Sequence, residues 1–330
     1  MMKQRVTRRD VALRAGVSET VVSYVLNANR YVDSEKKERV LRAVRELGYF
    51  PSPVARALKG KDAHHVLFIV DDMISEYFGS IISEMEKLVA GKGFLFSLAC
   101  DRGDENFVQT VCNWSFDGIV IGSATIREDD IQKIIDTGMP TVILSMNDYP
   151  RFCGRYGLVF TGLKEGSLKI MECFRAKGRK RIAFLDSFCI GDAPVDRIGF
   201  RYIGYKVALN GQEEIVIDRC EDSARLRKKI AEVYEEKHFD ALFCRTDRMA
   251  AEAMLALSAM GLSVPDDVSV AGVNNSRIAM YTRPRLTSLA IRKDEVARAT
   301  LQLFALLKKN REEEVLTVQL ETDLIERESV

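Results

Sequence analysis

The chain has 330 residues, of which 47% are hydrophobic and 29% are charged, and its net charge is only +1. These values exclude a collagen-like, low-complexity or wholly disordered chain and favour a globular protein of two or three domains. No run approaches the roughly 20 apolar residues that span a bilayer, and the basic first ten residues lack the apolar segment of a secretory signal. We therefore expect a cytoplasmic protein without a membrane partner.

The charge is divided unevenly along the chain. Residues 1–61 contain 14 Lys or Arg against 6 Asp or Glu, a balance of +8, which leaves −7 for the remainder. A basic module attached to an acidic body points to a polyanionic partner for the module. A solvated charged surface with no such partner is the alternative interpretation.

The first 48 residues predict three short helices. Thr7 is a possible N-cap of the first helix, and Gly16 ends it. Ser18 then caps a second helix, and a third begins at Ser34 and runs to Gly48. A helix, a Gly-containing turn and a second helix form the outline of a helix-turn-helix.

The second of these helices has two distinct faces. At about 100° per residue, the polar side chains of VSETVVSYVLN (residues 17–27) fall in one arc, and its valines and leucine fall opposite. The helix should therefore dock by its valines and show hydroxyls, an amide and a carboxylate outward. Any amphipathic surface helix would share this pattern, but the position inside a basic module favours contact with DNA.

Two further stretches complete the predicted organisation. Residues 51–61 read as a helix too short to form in water without a partner, begun by Ser52 and Pro53 and stopped by Gly60. From His65 onward, apolar runs alternate with amphipathic stretches, which predicts parallel sheets covered by helices on both faces. The pattern runs twice, so we expect two α/β lobes with a ligand crevice at the carboxyl ends of their strands. The runs are VLFIVDD, FLFSLAC, DGIVIGS, PTVILS, RIAFLDS, EIVID, DALFCRTD and VSVAGVN.

Several phrases carry a more specific resemblance. They are VTRRDVA, AGVS, VLN, ELGY and ARAL in the first 58 residues, then GRKRIAF, VPDDVSV and LTSL. They resemble the headpiece, hinge and regulatory core of the lac repressor (LacI/GalR) family of bacterial transcriptional regulators. The resemblance implies an α/β fold: an N-terminal helix-turn-helix headpiece plus two doubly wound parallel-sheet lobes in a periplasmic-binding-protein-like core.

The resemblance also implies domain boundaries. The headpiece would span residues 1–50, a hinge helix and linker residues 51–61, and an effector-binding and dimerisation core residues 62–330. Within the core, lobe one would take about 62–161 and 291–320, and lobe two about 162–290 and 321–330.

In that family the second helix lies in the major groove, which implies that Glu19, Thr20 and Tyr24 reach base edges. The family often has Arg or His where Tyr24 stands. A carboxylate can accept a hydrogen bond from a cytosine amine, and its repulsion from phosphates penalises wrong sequences. The predicted DNA-binding residues, including phosphate contacts and the hinge, are Thr7, Ser18, Glu19, Thr20, Ser23, Tyr24, Asn27, Arg30, Ala55, Arg56 and Leu58.

The hinge would act through a homodimer on a palindromic operator of double-stranded DNA. The resemblance implies that Leu58 of each copy wedges into the minor groove at the operator centre. An ordinary linker leucine packed on the core is the alternative.

The resemblance implies a small effector between the lobes: a sugar, a sugar phosphate or another small metabolite. Each predicted residue has a structural alternative: Arg201 could pair with Asp196 on the surface, Asp247 could cap a helix, and the aromatic pair could be core. Several pocket residues typical of the family are missing, so an anionic metabolite, or a cleft controlled by a protein partner instead, stays open. The predicted effector-binding residues are Tyr77, Phe78, Arg201, Asp247 and Asn274.

Other classes of protein fit less well. The sequence has no Gly-rich phosphate-binding motif, only three His residues, and seven scattered cysteines without a C-x-x-C pair. We predict no enzyme, no catalytic residue, no metal and no cofactor. A soluble two-lobe ligand-binding protein would not need a basic headpiece. The prediction is a cytoplasmic, nucleoid-associated, homodimeric repressor.

Overall fold

The computed structural model describes residues 6–27, 30–49, 64–101, 106–114, 116–186, 198–218, 220, 222–309 and 315–330. The chain divides into two compact units, Met1–His64 and His65–Val330, which are treated separately below. Within the described ranges, every helix is too short or too polar to cross a membrane.

The described part of the first unit is helical. Thr7 caps the first helix in a capping box, because its hydroxyl oxygen accepts a hydrogen bond from the Asp10 N–H and the Asp10 carboxylate accepts one from the Thr7 N–H. Gly16 and Gly48 end the first and third helices in the left-handed conformation, with φ of 65° and 59°. The helices are α1 (Arg8–Ala15), α2 (Glu19–Asn27) and α3 (Ser34–Leu47).

A small apolar core holds these helices together. Val11, Val22 and Val40, one from each helix, are fully buried in it. Such a core follows directly from the helical spacing of the valines, whose apolar stripe must be covered.

The second unit contains two sheets. The first is entirely parallel, in the order β11-β5-β4-β3-β1-β2. Its strands are β1 (His65–Val70), β2 (Leu95–Cys100), β3 (Gly118–Ile121), β4 (Thr141–Ser145), β5 (Tyr156–Phe160) and β11 (Val315–Gln319). Its helices are α4 (Glu76–Leu88), α5 (Phe107–Cys112), α6 (Glu128–Asp136) and α12 (Lys293–Lys309).

The second sheet has the order β12-β10-β9-β8-β6-β7, in which β12 runs antiparallel to β10. An antiparallel edge strand on an otherwise parallel sheet is a common departure from the purely parallel arrangement that we predicted. Its strands are β6 (Ile182–Leu185), β7 (Ile215–Ile217), β8 (Ala241–Cys244), β9 (Ser269–Val273), β10 (Thr287–Ile291) and β12 (Thr322–Ile325). Its helices are α7 (Leu163–Ala176), α8 (Phe200–Leu209), α9 (Ser223–Lys237), α10 (Asp247–Ala259) and α11 (Ile278–Tyr281).

Burial on both faces explains the continuous apolar strands. Every residue of β3, β4, β6, β8 and β9 is buried. The strands have no polar face because helices cover each sheet on both sides. The predicted α/β fold, with N-terminal helices and two doubly wound lobes, is confirmed.

The chain crosses between the lobes three times within the described residues: from β5 to α7, from β10 to α12, and from β11 to β12. The crossings contact one another. The Thr322 hydroxyl donates to the Gly162 carbonyl at 3.1 Å, and the guanidinium of Arg292 contacts the carboxylate of Asp323 at 2.9 Å. Gly162 has a φ of 70°, and a Cβ on it would lie 2.7 Å from the Leu320 carbonyl oxygen. The three crossings thus form one bundle.

Candidate nucleic-acid interface and ligand cleft

The helix α2 separates its polar and apolar side chains onto two faces. Glu19 and Thr20 are exposed, and Ser23 and Tyr24 are half-buried. Val22, on the other side, is fully buried. The polar side chains that we predicted to meet DNA therefore share one accessible face.

A cation stands beside this face although the helix itself carries none. The guanidinium carbon of Arg30 lies 5.3 Å from the centroid of the Tyr24 ring. Such a cation–π contact orients the ring and places a positive charge at its side. The sequence reasoning named both residues but did not predict their contact.

Ser18 and Thr7, at the starts of α2 and α1, differ in whether their hydroxyl hydrogen is already used in a hydrogen bond. Ser18 Oγ accepts a hydrogen bond from the Val21 N–H at 3.4 Å, which leaves its hydroxyl hydrogen able to donate. The Thr7 hydroxyl instead donates to Asp10 at 2.7 Å, and the hydrogen bonds from Thr7 hold the pKa of Asp10 below its ordinary value. A phosphate would have to compete with Asp10 for the Thr7 hydroxyl.

Several predicted DNA contacts fall on residues that the structure does not describe. They are the side chain of Asn27 and the hinge residues Ala55, Arg56 and Leu58, which lie outside the described ranges. Those predictions stay predictions.

In the second unit, Tyr77 and Phe78 begin α4 at the carboxyl end of β1. Both are 4% exposed, and their ring centroids are 5.0 Å apart. Gly122, after β3, makes room for them, because a Cβ there would lie 2.6 Å from the Phe78 ring. The Tyr77 hydroxyl has no hydrogen-bond partner among the described residues, and burial raises its pKa to about 12. Phe78 is core, whereas Tyr77 also leaves a polar atom unsatisfied.

Arg201 lies on α8 of the opposite lobe and is 5% exposed, so the surface position that we considered for it is wrong. Asp196, the partner that we considered for it there, lies outside the described residues. Its Nη2 donates to the Asn274 amide oxygen over a long 3.5 Å, and its Nε has no partner in the part of the chain that the structure describes. Burial and the neighbouring charge of Arg245 lower the pKa of Arg201 to about 10. The side chain is a buried cation that is weakly satisfied.

Asp247 is buried but occupied. Its carboxylate accepts hydrogen bonds from the Ser288 hydroxyl and from the N–H and hydroxyl of Ser276, the latter two at 2.6 and 2.8 Å. Burial raises the pKa of Asp247 to about 6. The helix cap that we considered for Asp247 belongs to Thr246, whose hydroxyl oxygen accepts from the Met249 N–H. Asp247 thus holds the loop after β9 in place through its hydrogen bonds to Ser276.

Asn274 begins that loop with a φ of 100°, a left-handed conformation that asparagine tolerates better than most residues. Its carbonyl accepts a hydrogen bond from the Lys293 ammonium at 2.6 Å. Its amide oxygen faces Arg201. Asn274 therefore contacts two cations, Arg201 through its amide oxygen and Lys293 through its carbonyl.

The second lobe also contains an ion pair that the sequence did not lead us to predict. Arg245 Nη1 lies 2.8 Å from Asp186 Oδ1, with side chains 17% and 2% exposed. Asp186 follows β6 and Arg245 follows β8, which are neighbours in the sheet. Both residues come just after apolar runs that predict strands. This placement could have indicated a shared site, because the carboxyl ends of parallel strands form ligand crevices.

Hydrogen bonds from main-chain N–H groups join the two lobes near these residues. The Phe200 N–H donates to the Met146 carbonyl at 2.9 Å. On the other side, the Arg277 N–H donates to both carboxylate oxygens of Glu76 at 3.1 Å. Tyr77 follows Glu76 in the chain, and Arg201 follows Phe200, so each comes directly after a residue that contacts the other lobe. The charge of each of these two side chains shifts the pKa of the other. The predicted effector residues are thus brought together where the two lobes meet, at the place of the predicted cleft.

Comparisons with known proteins agree with this architecture. Residues 7–52 match the family model described as bacterial regulatory proteins, lacI family, and residues 171–330 match that of a periplasmic binding protein-like domain. The chain is 28% identical over 339 residues to the HTH-type transcriptional repressor PurR of Vibrio atlanticus, with 98% of each chain covered.

Solved structures are similar over the same length. A complex of the transcriptional regulator CelR with cellobiose superposes with a TM-score of 0.68 at 25% identity, covering 99% of this chain and 100% of that one. The lac repressor dimer bound to operator and the anti-inducer ONPF superposes with a TM-score of 0.79 at 21% identity, covering 99% of both chains. The latter likeness concerns the fold alone.

Proposed function

The chain belongs to the lacI family of bacterial regulatory proteins, and from this premise we propose that it is a sequence-specific transcriptional repressor. The family consists of transcriptional regulators rather than enzymes. The observation that carries the proposal is the accessible polar face of α2, where Glu19, Thr20 and Tyr24 stand above a buried valine face. Such a helix can enter a major groove and discriminate base edges by carboxylate, hydroxyl and ring contacts. We place its action in the cytoplasm, on nucleoid DNA.

Charge neutralisation in this proposal comes from outside α2. Arg30 beside Tyr24 supplies one cation, and Arg56 in the hinge supplies another. Ser18, Ser23 and Asn27 add neutral donors to phosphates, which fix the register of the helix without specifying sequence. Ala55 and Leu58 complete the hinge contact with the minor groove.

The acting form in this proposal is a homodimer, as a palindromic operator requires. Leu255 on α10 and Tyr281 on α11 are 61% and 73% exposed, and the two helices are neighbours. Exposed apolar side chains on two neighbouring helices suit a contact with a second copy. Tyr281→Asp should therefore give a monomer by sedimentation. Trp114→Asp is the matched control, since Trp114 is 63% exposed on the other lobe. A dimer that survives Tyr281→Asp would remove this surface from the proposal.

The operator affinity would be set by a small effector between the lobes. Tyr77 contributes from lobe one, Arg201 and Asn274 contribute from lobe two, and Phe78 and Asp247 support them from behind. A ligand that contacts both lobes fixes their separation, because it binds the closed arrangement more tightly than the open one.

The proposal is tested by binding the full-length protein to random DNA duplexes at moderate salt and sequencing what is retained. A repressor of this kind recovers a motif with two-fold symmetry. Glu19→Ala should change the preferred base at one position of each half-site. Glu35→Ala, an exposed carboxylate on α3, should leave the motif unchanged. Recovery of no symmetric motif would refute sequence-specific operator binding.

A further inference from the structure

The buried cation Arg201 has no carboxylate within salt-bridge distance among the described residues. Its long hydrogen bond to Asn274, and an Nε without a partner in the described ranges, leave the guanidinium poorly compensated inside the protein. Burying a charge without a partner is costly, and the cost is normally offset by an ion pair or a bound counter-ion. The arrangement is one that a ligand can complete.

A second unsatisfied group comes from the opposite lobe. The Tyr77 hydroxyl is buried without a partner in the described residues, and the nearby charge of Arg201 opposes the rise in its pKa that burial causes. A phenol beside a cation has its hydroxyl hydrogen free to donate, while the cation offers N–H donors only. Both groups can therefore donate a hydrogen bond to an acceptor that a ligand supplies.

The other charged groups near Arg201 do not form an ion pair with it among the described residues. Arg245 stands near enough to lower the pKa of Arg201, and its own charge is matched by Asp186 at 2.8 Å. Asp71, the other nearby carboxylate, accepts a hydrogen bond from the Ala124 N–H at 3.2 Å and lies outside salt-bridge distance of Arg201. Two arginines thus face two acids, of which one is bound to Arg245.

We propose that the effector carries a compact anionic group, a carboxylate or a phosphate ester, held by Arg201 and Tyr77 from opposite lobes beside the Arg245–Asp186 pair. This inference rests on the proposed function and names the chemical class of its effector. A guanidinium fork fits either anion through two parallel hydrogen bonds. A neutral sugar hydroxyl could accept one hydrogen bond but could not compensate the buried charge.

The test compares matched neutral and anionic probes on the full-length protein. The pairs are glucose with glucose 6-phosphate and galactose with galacturonate; inorganic phosphate and citrate are tested against sodium chloride at equal ionic strength. Thermal denaturation identifies the binders and calorimetry gives their Kd. We expect an anionic probe to raise the midpoint while its neutral partner does not. The phosphate and carboxylate arms show which anion is preferred.

Variants locate the effect. Arg201→Gln should weaken binding of the stabilising anion by about tenfold or more, since it removes a charge-assisted hydrogen bond. Tyr77→Phe, which removes only the hydroxyl, should weaken binding less. Arg248→Gln, an exposed arginine on α10, is the control and should leave the Kd unchanged. Circular dichroism establishes that each variant folds.

Three results would overturn the inference: equal stabilisation by a sugar and its anion, no stabilisation by any anion beyond the salt control, or an anion effect that persists in Arg201→Gln. None of them touches the recovery of a symmetric DNA motif. The effector class and the proposed function can therefore fail separately.

Discussion

The helix α2 and the predicted ligand cleft present their polar groups in opposite ways. On α2, Glu19 and Tyr24 are five residues apart in sequence and reach outward from a valine face. In the cleft, Tyr77 and Arg201 come from different lobes and are almost fully buried. The first surface is accessible as it stands, whereas the second holds two polar groups, the Tyr77 hydroxyl and Arg201 Nε, that lack hydrogen-bond partners among the described residues. Local sequence is therefore informative for the helix, and topology is informative for the cleft.

The largest effect on DNA affinity should come from a substitution that unfolds the headpiece and leaves the second unit folded. Val22→Gln places an amide among apolar side chains in a small core, so the headpiece should unfold and DNA affinity should fall by about 100-fold or more. Fluorescence anisotropy measures the affinity. Calorimetry should show the thermal transition of the second unit unchanged.

Leu13→Gln is the matched control, because Leu13 lies on α1 but is 73% exposed. An equal loss of DNA binding in this variant would mean that burial is not the cause. A matching shift in the second unit's transition would show that the two regions do not behave independently.

A second prediction concerns the bundle of crossings. Gly162→Ala combines a left-handed backbone with a Cβ 2.7 Å from the Leu320 carbonyl oxygen, and should cost about 3 to 4 kcal/mol of unfolding free energy. Urea denaturation of the second unit measures it. Gly178→Ala keeps a positive φ of 83° but meets no atom within 4 Å, so it should cost only about 1 kcal/mol. Equal costs would show that the close approach is harmless.

The buried carboxyl of Asp247 predicts a dependence of stability on pH. Its pKa is about 6 in the folded protein against an ordinary 3.8, so the folded state holds the proton more tightly. The group therefore favours folding below pH 4 and loses that contribution as the pH rises through 6. The difference amounts to about 3 kcal/mol at most.

Denaturation at several pH values tests this dependence. The nearby Lys293 ammonium stays charged throughout the window and does not add to the slope. Asp247→Asn, which cannot titrate, should flatten the fall in unfolding free energy between pH 4 and 6. A slope identical to that of the unaltered protein would assign the dependence to other groups.

The smallest predicted effect concerns the negative charge of Glu19 on α2 and its influence on non-specific DNA affinity. Glu19→Gln removes a negative charge that phosphates repel, so affinity for random DNA should rise by about threefold at low salt and less at high salt. Titration of a non-operator duplex at two salt concentrations measures it. The neutralised α3 carboxylate in Glu35→Gln should give a smaller rise. A rise of the same size in both would make the effect one of net charge alone.

Much of the fold follows from local signals. The capping residue Thr7 and the terminating residues Gly16 and Gly48 predict the helix boundaries of the headpiece, because each satisfies the end of a helix in a specific way. The eight quoted apolar runs all form strands. Four strands were not among them: β5, β10, β11 and β12. Two of these, β11 and β12, are edge strands that are only partly buried, so their apolar pattern is weaker.

The cleft could not be predicted to the same degree. Asp186 and Arg245 are 59 residues apart, and only the placement of β8 beside β6 brings them together. The role of Asp247 likewise depends on Ser276 and Ser288, which belong to a loop and to another strand. Pairing of this kind depends on strand order, which a single sequence does not encode locally.

The three crossings between the lobes have a mechanical consequence. Three crossings that lie side by side oppose twisting and sliding of one lobe against the other. The motion that they oppose least is a hinge rotation of the lobes about the line that the crossings define. The hydrogen bonds between Glu76 and Arg277, which join the two lobes away from the crossings, then oppose a change in the angle between the lobes. Any ligand that fixes the angle produces the same mechanical output, whatever its chemistry. The chemistry of the groups that contact the ligand and the motion that the three crossings permit are therefore separate features of this fold.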